Sequence, residues 1–173
     1  MSIRKAAETT PVVDSATTTV PPARPTSNDM DTLVALHEAE VAARDLYQKT
    51  IDAASVSDPD KLAIVTLLRE HHRAYAQALA AILAKKATNL ANAAIYDANV
   101  EAFGSSTKFA EAAFALENTL IATHTAAVGT LEGTEGAALI ASIIITEGRH
   151  AVVVAELAGK QYLDAQLAGA TAK

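Results

Sequence analysis

The sequence predicts an all-α fold, a four-helix bundle made of two antiparallel hairpins joined by a long crossover. Three observations predict it. Half of the 173 residues are apolar, with much Ala, seven Gly, three Phe, four Tyr and no Trp, a balance that favours closely packed helices over sheet. Apolar residues recur at the 3, 4 spacing of a helix face in four long segments. The links between those segments run short, long, short, which pairs neighbours antiparallel and leaves one connection able to cross the bundle. A chain of this length forms one domain with a real core.

Residues 1–28 are a different material. They hold four of the five prolines and three consecutive Thr at 17–19 but no helical period, and so read as a disordered or extended tail. The tail is either an inert leader or a segment that docks to a partner. The bundle is expected over residues 29–159. Helix A begins at Ser27-Asn28-Asp29, good capping residues, and runs to about Ala54, with Leu33, Leu36, Glu40, Ala43, Tyr47 and Ile51 facing inward. Helix B begins at Ser57-Asp58-Pro59, a cap followed by proline in the first turn, and runs to about Lys86. Its stripe is Leu62, Val65, Leu68, His72, Tyr75, Leu79 and Ile82. The rhythm breaks over about 87–106, where a short helix near Asn92 to Phe103 fits the crossover. Helix C starts near Ser106 or Thr107 and ends about Leu131, with Ala110, Ala113 or Phe114, Glu117, Leu120, His124 and Val128 inward. Gly133-Thr134 turns the chain into helix D, about 135–158, closed by Gly159. Residues 160–173 form a C-terminal tail in which Tyr162, Leu163 and Leu167 suit a last short helix.

Each expected helix carries an ionisable residue inside its apolar stripe: Glu40, His72, Glu117, and Glu147 with His150 one turn later. Each lies near mid-helix, and helices of about 25 residues span roughly 37 Å, so these positions come to one height in the bundle. Such a ring is destabilising unless protons, hydrogen bonds or a cation satisfy it. Carboxylates mixed with imidazoles suit iron, manganese or zinc. The neighbours have blander readings. His71 lies on a flank, packed against a neighbour or exposed. His124 is two turns, about 10 Å, beyond Glu117 and reads as a core histidine. His37 is either beside the site or on the surface. His72 is either a ligand or a core histidine bonded to Glu147 or Glu40. Arg44 and Arg149 either neutralise buried carboxylates or reach solvent, and Tyr47 and Tyr75 are core residues whose hydroxyls bond the polar ring.

The phrases LHEAEVAARDLY, LREHHRAYAQAL, AAFALENTLIATHTAAV and ITEGRHAVVVAEL resemble the ferritin-like superfamily, in particular bacterial ferritin-like domain proteins related to rubrerythrin and bacterioferritin. The likeness covers about residues 30–159. It implies a di-iron plan in which helices A and C each give a Glu, and helices B and D each give Glu-x-x-His. Glu40 fits the helix A position, Glu117 that of helix C, and Glu147 with His150 the whole helix D motif. Helix B departs: His72-Arg73-Ala74-Tyr75 stands where Glu-x-x-His belongs, and Glu70 lies on the polar face with Ala63, Thr66, Arg73 and Gln77. The expected metal ligands are therefore Glu40, His72, Glu117, Glu147 and His150, with iron or manganese as cofactor. Either one metal or a proton-shared network without metal fits this set.

Other chemistry finds little support. The net charge of −6 gives no reason to expect nucleic acid or an anionic membrane. Without cysteine there are no disulfides, thiolate zinc sites or iron–sulfur ligands. No run reaches the ~20 apolar residues of a membrane span, and the N-terminus lacks a signal peptide's apolar segment; the expectation is a soluble, cytoplasmic protein. No phosphate-cradling Gly-rich loop or Ser-centred elbow occurs. Two functions follow as expectations. One is an iron- or manganese-binding ferritin-like protein, with ferrous iron oxidation or reduction of oxygen or peroxide implied by the resemblance. The other is a degenerate ferritin-like bundle without catalysis, a structural or interaction subunit. The expected partners are a second copy of the chain, or a larger assembly docked through the N-terminal tail or an outer helix face.

Overall fold

The computed structural model describes residues 20–160, and these form five helices with no strand among them. They are α1 (Met30–Asp52), α2 (Pro59–Leu83), α3 (Ala93–Phe103), α4 (Phe109–Val128) and α5 (Thr134–Leu157). α1 packs most extensively on α2, and α4 on α5; the two hairpins meet along α1–α4 and α2–α5, while α3 lies in the crossover and packs on α1. The fold is thus the all-α bundle of two hairpins with one long connection. Residues 1–19 of the N-terminal tail, and the short helix expected after 160, lie outside the described residues.

Local chemistry sets the helix ends. Asp58 caps α2 by accepting from Asp60 N at 2.9 Å and Lys61 N at 3.1 Å, with Pro59 in the first turn. α2 stops at Leu83 rather than Lys86, because Ala84 turns to φ 51° and a 3₁₀ turn, Ala84–Lys86, follows. Asn92 caps α3 by accepting from Ile95 N. In α4 the buried residues at the two ends are Phe109 and Ala127, where Ala110 and Val128 were expected. The reason is aromatic: Phe109 and Phe103 meet edge to face at 5.5 Å and both rest against Tyr47, closing one end of the bundle.

Asp29 stands at the head of α1, yet its carboxylate does not cap that helix. It accepts from Thr26 N at 2.8 Å, Glu132 N at 2.8 Å and Gly133 N at 2.9 Å. Burial alone would raise its pKa, but these three amides hold the carboxyl below its usual range. The segment before it runs along the start of α5. Pro22 O accepts from Thr134 N at 3.0 Å and Ala23 O from Glu135 N at 2.9 Å, satisfying two of the amides that a helix N-terminus leaves unpaired. The last residues of the expected tail are therefore docked on the bundle.

The crossover is tied to α1 by two consecutive residues. His37, expected beside the site or at the surface, is buried and bonded to Ala76 O on α2 at 3.0 Å and to Thr88 O in the crossover. Glu38 accepts from Thr88 Oγ1 through its side chain and from Asn92 N through its backbone carbonyl. Both clamps lie within one turn of Glu40 and so fix the part of α1 that carries it.

Gly133 makes the strap's approach feasible: a Cβ there would sit 2.6 Å from Pro25 Cα and 2.7 Å from Arg24 O. Gly133→Ala is expected to cost about 1–3 kcal/mol through backbone displacement, read as a lower urea midpoint at unchanged slope. An unchanged midpoint would show that the strap does not bear on the turn.

Candidate metal centre

Two apolar clusters fill the bundle. One gathers Leu46, Tyr47, Val65, Leu68, Phe103, Phe109 and Leu116; the other gathers Leu33, Leu36, Leu79, Leu83, Ile140 and Ile143. On α1, α2 and α5 the site residues fall between them, as Glu40 does between Leu36 and Ala43, while Glu117 of α4 sits at the edge of the first. Glu40, His72, Glu117, His124 and Glu147 are fully buried and His150 is 3 % exposed. Three carboxylates and three imidazoles thus share a low-dielectric interior, where each is costly without a partner of opposite demand.

His72 is the pivot. Its Nδ1 lies 2.7 Å from Glu40 Oε2 and its Nε2 3.2 Å from Glu117 Oε1. Tyr47 donates its hydroxyl to the same Glu117 oxygen at 2.5 Å, and its ring stacks on His72 at 5.4 Å. His150 brings Nδ1 to 3.4 Å from Glu117 Oε2, while its Nε2 meets His71 Nδ1 at 2.9 Å in a stacked pair. On the other side His124 Nδ1 is 3.0 Å from Glu147 Oε2, and its Nε2 is 3.3 Å from Glu40 Oε1. The ring therefore occupies two adjoining layers rather than one height, with Glu40 and His72 linking them.

Ligand atoms of His72, Glu117 and His150 lie within 4.8 Å of one another, and so do those of Glu40, His72 and Glu147. All five expected ligands enter these two groups. Glu147 and His150, one turn apart on α5, fall in different groups, and His72 belongs to both. Tyr75 lays its half-buried ring beside His72 and His150. Glu70 is at the surface with Arg69 and Arg73, each at 2.6 Å, and Arg44 pairs with Asp45.

Two histidines outside the expected ligands join the network, His124 as the core histidine expected and His71 packed against a neighbour. His124 is too far along α4 to join Glu117, but the antiparallel α5 sets Glu147 against it; the signal was its place in the same stripe as Glu117. His71 reaches the site from the flank that α2 turns toward α5, where helical period alone gives no marker. If His150 Nδ1 faces a cation, its Nε2 carries the hydrogen and donates to His71, which fixes the ring and its tautomer.

Electrostatics follow from this geometry. Burial would raise Glu117, but the charge of His72 and the nearness of His150 outweigh it and bring the carboxyl down to about 2. Burial lifts Glu147 to about 7, with His124 opposing and Glu40 adding to the rise. Burial disfavours charge on His72, yet Glu117 and Glu40 together raise it well above its ordinary value. His124 is raised in the same way, by Glu147 and Glu40 against burial. His71 is lowered by burial and by the neighbouring His150 and His72. Tyr47 is raised well above its usual range by burial and by Glu117, and so stays a neutral donor.

The residues present fit a cation. Glu40 Oε1, Glu117 Oε2, Glu147 Oε1, His124 Nε2 and His150 Nδ1 are buried without a hydrogen-bond partner among the described residues. Two pairs of these orphans stand 3.3 and 3.4 Å apart, out of hydrogen-bond alignment. Separations of about 3.0–3.4 Å are what neighbouring donors make around one ion at bonds of ~2.1 Å. The donor chemistry suits iron, manganese or zinc.

The ferritin-like domain family matches residues 28–160, well over half of the chain. The chain belongs to that family. No curated protein and no solved structure matches it. The family match ends where the ferritin-like bundle ends, at the close of α5. α5 itself is apolar enough to cross a membrane by length and composition. In this ferritin-like chain one face of it, with Ile140, Ile143, Glu147, His150 and Val154, is buried in the bundle.

The shifts set the pH dependence of the metal-free protein. Glu117 is depressed, so its contribution is present above about 4.5 and is lost as pH falls toward 2. Glu147 is raised, so its contribution is present below about 4.5 and is lost as pH rises through about 7. The raised His72 and His124 contribute below 6.5 and lose that contribution as pH climbs above it. In chelator, the urea midpoint should peak at about pH 4.5–5 and fall toward about pH 8. Glu147→Gln should remove the part of the fall that lies between about pH 4.5 and 7. A midpoint flat from about pH 5 to 8 in the unaltered chain would contradict these assignments.

Proposed function

We propose that this ferritin-like protein binds one iron or manganese ion inside the bundle. What carries the reading is the two buried donor groups, His72 with Glu117 and His150 and Glu40 with His72 and Glu147, in each of which the carboxylates keep an oxygen without a partner. One ion rather than two follows from His72. It stands in both groups of donors, and a neutral imidazole has a single lone pair to give. His72 with Glu117 and His150 would hold the ion in one arrangement, and Glu40 with His72 and Glu147 in the other. When bound, the ion supplies one-electron chemistry suited to oxidation of ferrous iron or reduction of oxygen or peroxide. The chain's own residues do the rest. Glu117 remains a carboxylate at neutral pH, Tyr47 holds one of its oxygens, and His71 orients His150. Glu147 and His72 carry protons that a cation replaces, so binding strengthens as pH rises.

A second reading is favoured by the hydrogen bonds that His72 already makes to both Glu40 and Glu117. On that reading the ring is a self-contained proton-shared network, and the protein is a bundle without catalysis, an interaction subunit.

Metal analysis of protein purified without chelator separates the two. About one ion per chain is expected, lost in Glu147→Ala and His150→Ala. Manganese added at about 100 times its Kd should stabilise the unaltered chain by about 2.7 kcal/mol, roughly 5–10 °C in Tm, and leave both variants unmoved. A metal-free protein whose variants are equally stable would establish the second reading.

A further inference from the structure

We infer that two copies of this chain pair through the outer face of α5, running antiparallel about a twofold axis between Val152 and Val153. Ala138, Ala141, Ile145, Arg149, Val152 and Glu156 are exposed and follow one another along a single helical stripe. Ile145, Val152 and Val153 are 61, 47 and 37 % exposed, half of the large apolar residues that stand open to solvent among the described residues. The adjoining outer face of α4 adds Ala115, Asn118, Thr119, Ala122, Thr123 and Ala126, with no charge among them.

The polar groups of this surface need little water. Asn118 donates to Phe114 O at 2.7 Å, Thr119 to Ala115 O at 2.9 Å, Thr123 to Thr119 O at 2.8 Å and Ser142 to Leu139 O at 2.7 Å. Each bond is made within the residue's own helix, so covering the surface leaves the three hydroxyl donors satisfied.

Charge selects the occupant. Arg149 and Glu156 are the charges in the second half of this face, with Glu135 at its far start, and neither has an ion-pair partner among the described residues. They lie seven residues apart, about 10 Å or two turns, and their midpoint falls between Val152 and Val153. An antiparallel second copy centred there sets Arg149 against the partner's Glu156 and Glu156 against the partner's Arg149, with the valines in the middle. This is the self-complementarity of a twofold interface. With a net charge of −6, two chains repel over most faces, whereas Arg149 and Glu156 cancel about the proposed axis.

Sedimentation equilibrium of the full chain tests it, at twice the 17.9 kDa chain mass. Arg149→Glu and Glu156→Arg should each weaken the dimer at least about tenfold, and the double variant should restore it, which a folding defect would not do. The chain has no cysteine of its own, so Val152→Cys should oxidise to a disulfide-linked dimer, while Leu90→Cys, off this face, should not. A monomeric chain at about 100 μM, whether or not it floats with lipid vesicles, would overturn the inference. So would a dimer that ignores both charge reversals or fails to cross-link through residue 152.

Discussion

The structure depends on placing three carboxylates and three imidazoles where water does not reach. In an apolar interior an ionised group without a partner is destabilising by several kcal/mol. The fold answers by pairing acid with base at each step: Glu40 with His72, His72 with Glu117, and Glu147 with His124. These pairs cross between helices, so the ring ties all four long helices together at mid-length. The pairing is incomplete, however. Each carboxylate keeps one oxygen without a hydrogen bond, and those oxygens share the space with nitrogens of His124 and His150. Protons satisfy such a set only in part, and a cation satisfies it better.

Much of the remaining architecture serves to keep that ring in register. Short turns align each hairpin's helices, while His37 and Glu38 anchor the crossover within a turn of Glu40. The strap at residues 22–25 and the Asp29 carboxylate fasten the start of α5 to the start of α1. α5 then serves two surfaces at once. Its inner stripe brings Glu147 and His150 to the ring, and its outer stripe leaves Ile145, Arg149, Val152 and Glu156 toward solvent. A helix apolar on both sides is what gives it the composition of a membrane span.

The fold was legible in the sequence because helical period and loop length are local properties. The stripes through Leu33 and Tyr47 and through Leu68 and Leu79 are the ones the core uses, and the long break at about 87–106 is the crossover. The centre was legible residue by residue, since an ionisable side chain in an apolar stripe stands out. What it does not reveal is pairing between helices. Mid-helix position suggested one height, whereas the contacts resolve two layers and place Glu147 with His124 rather than with His150. His71 was legible only as a flank residue, packed or exposed; that it packs on His150 comes from the neighbouring α5, not from its own helix. Asp29 was read as a helix cap, but tertiary amides from Glu132 and Gly133 compete for the same oxygens and prevail.

The central claim is that the buried ring exchanges protons for a single cation. Calorimetric titration of the metal-free protein with manganese, repeated in buffers of different ionisation enthalpy near neutral pH, counts both quantities at once. The account predicts one ion per chain, with release of about one to two protons from the ring. Binding of two ions per chain, or of one ion with no proton released, would contradict it.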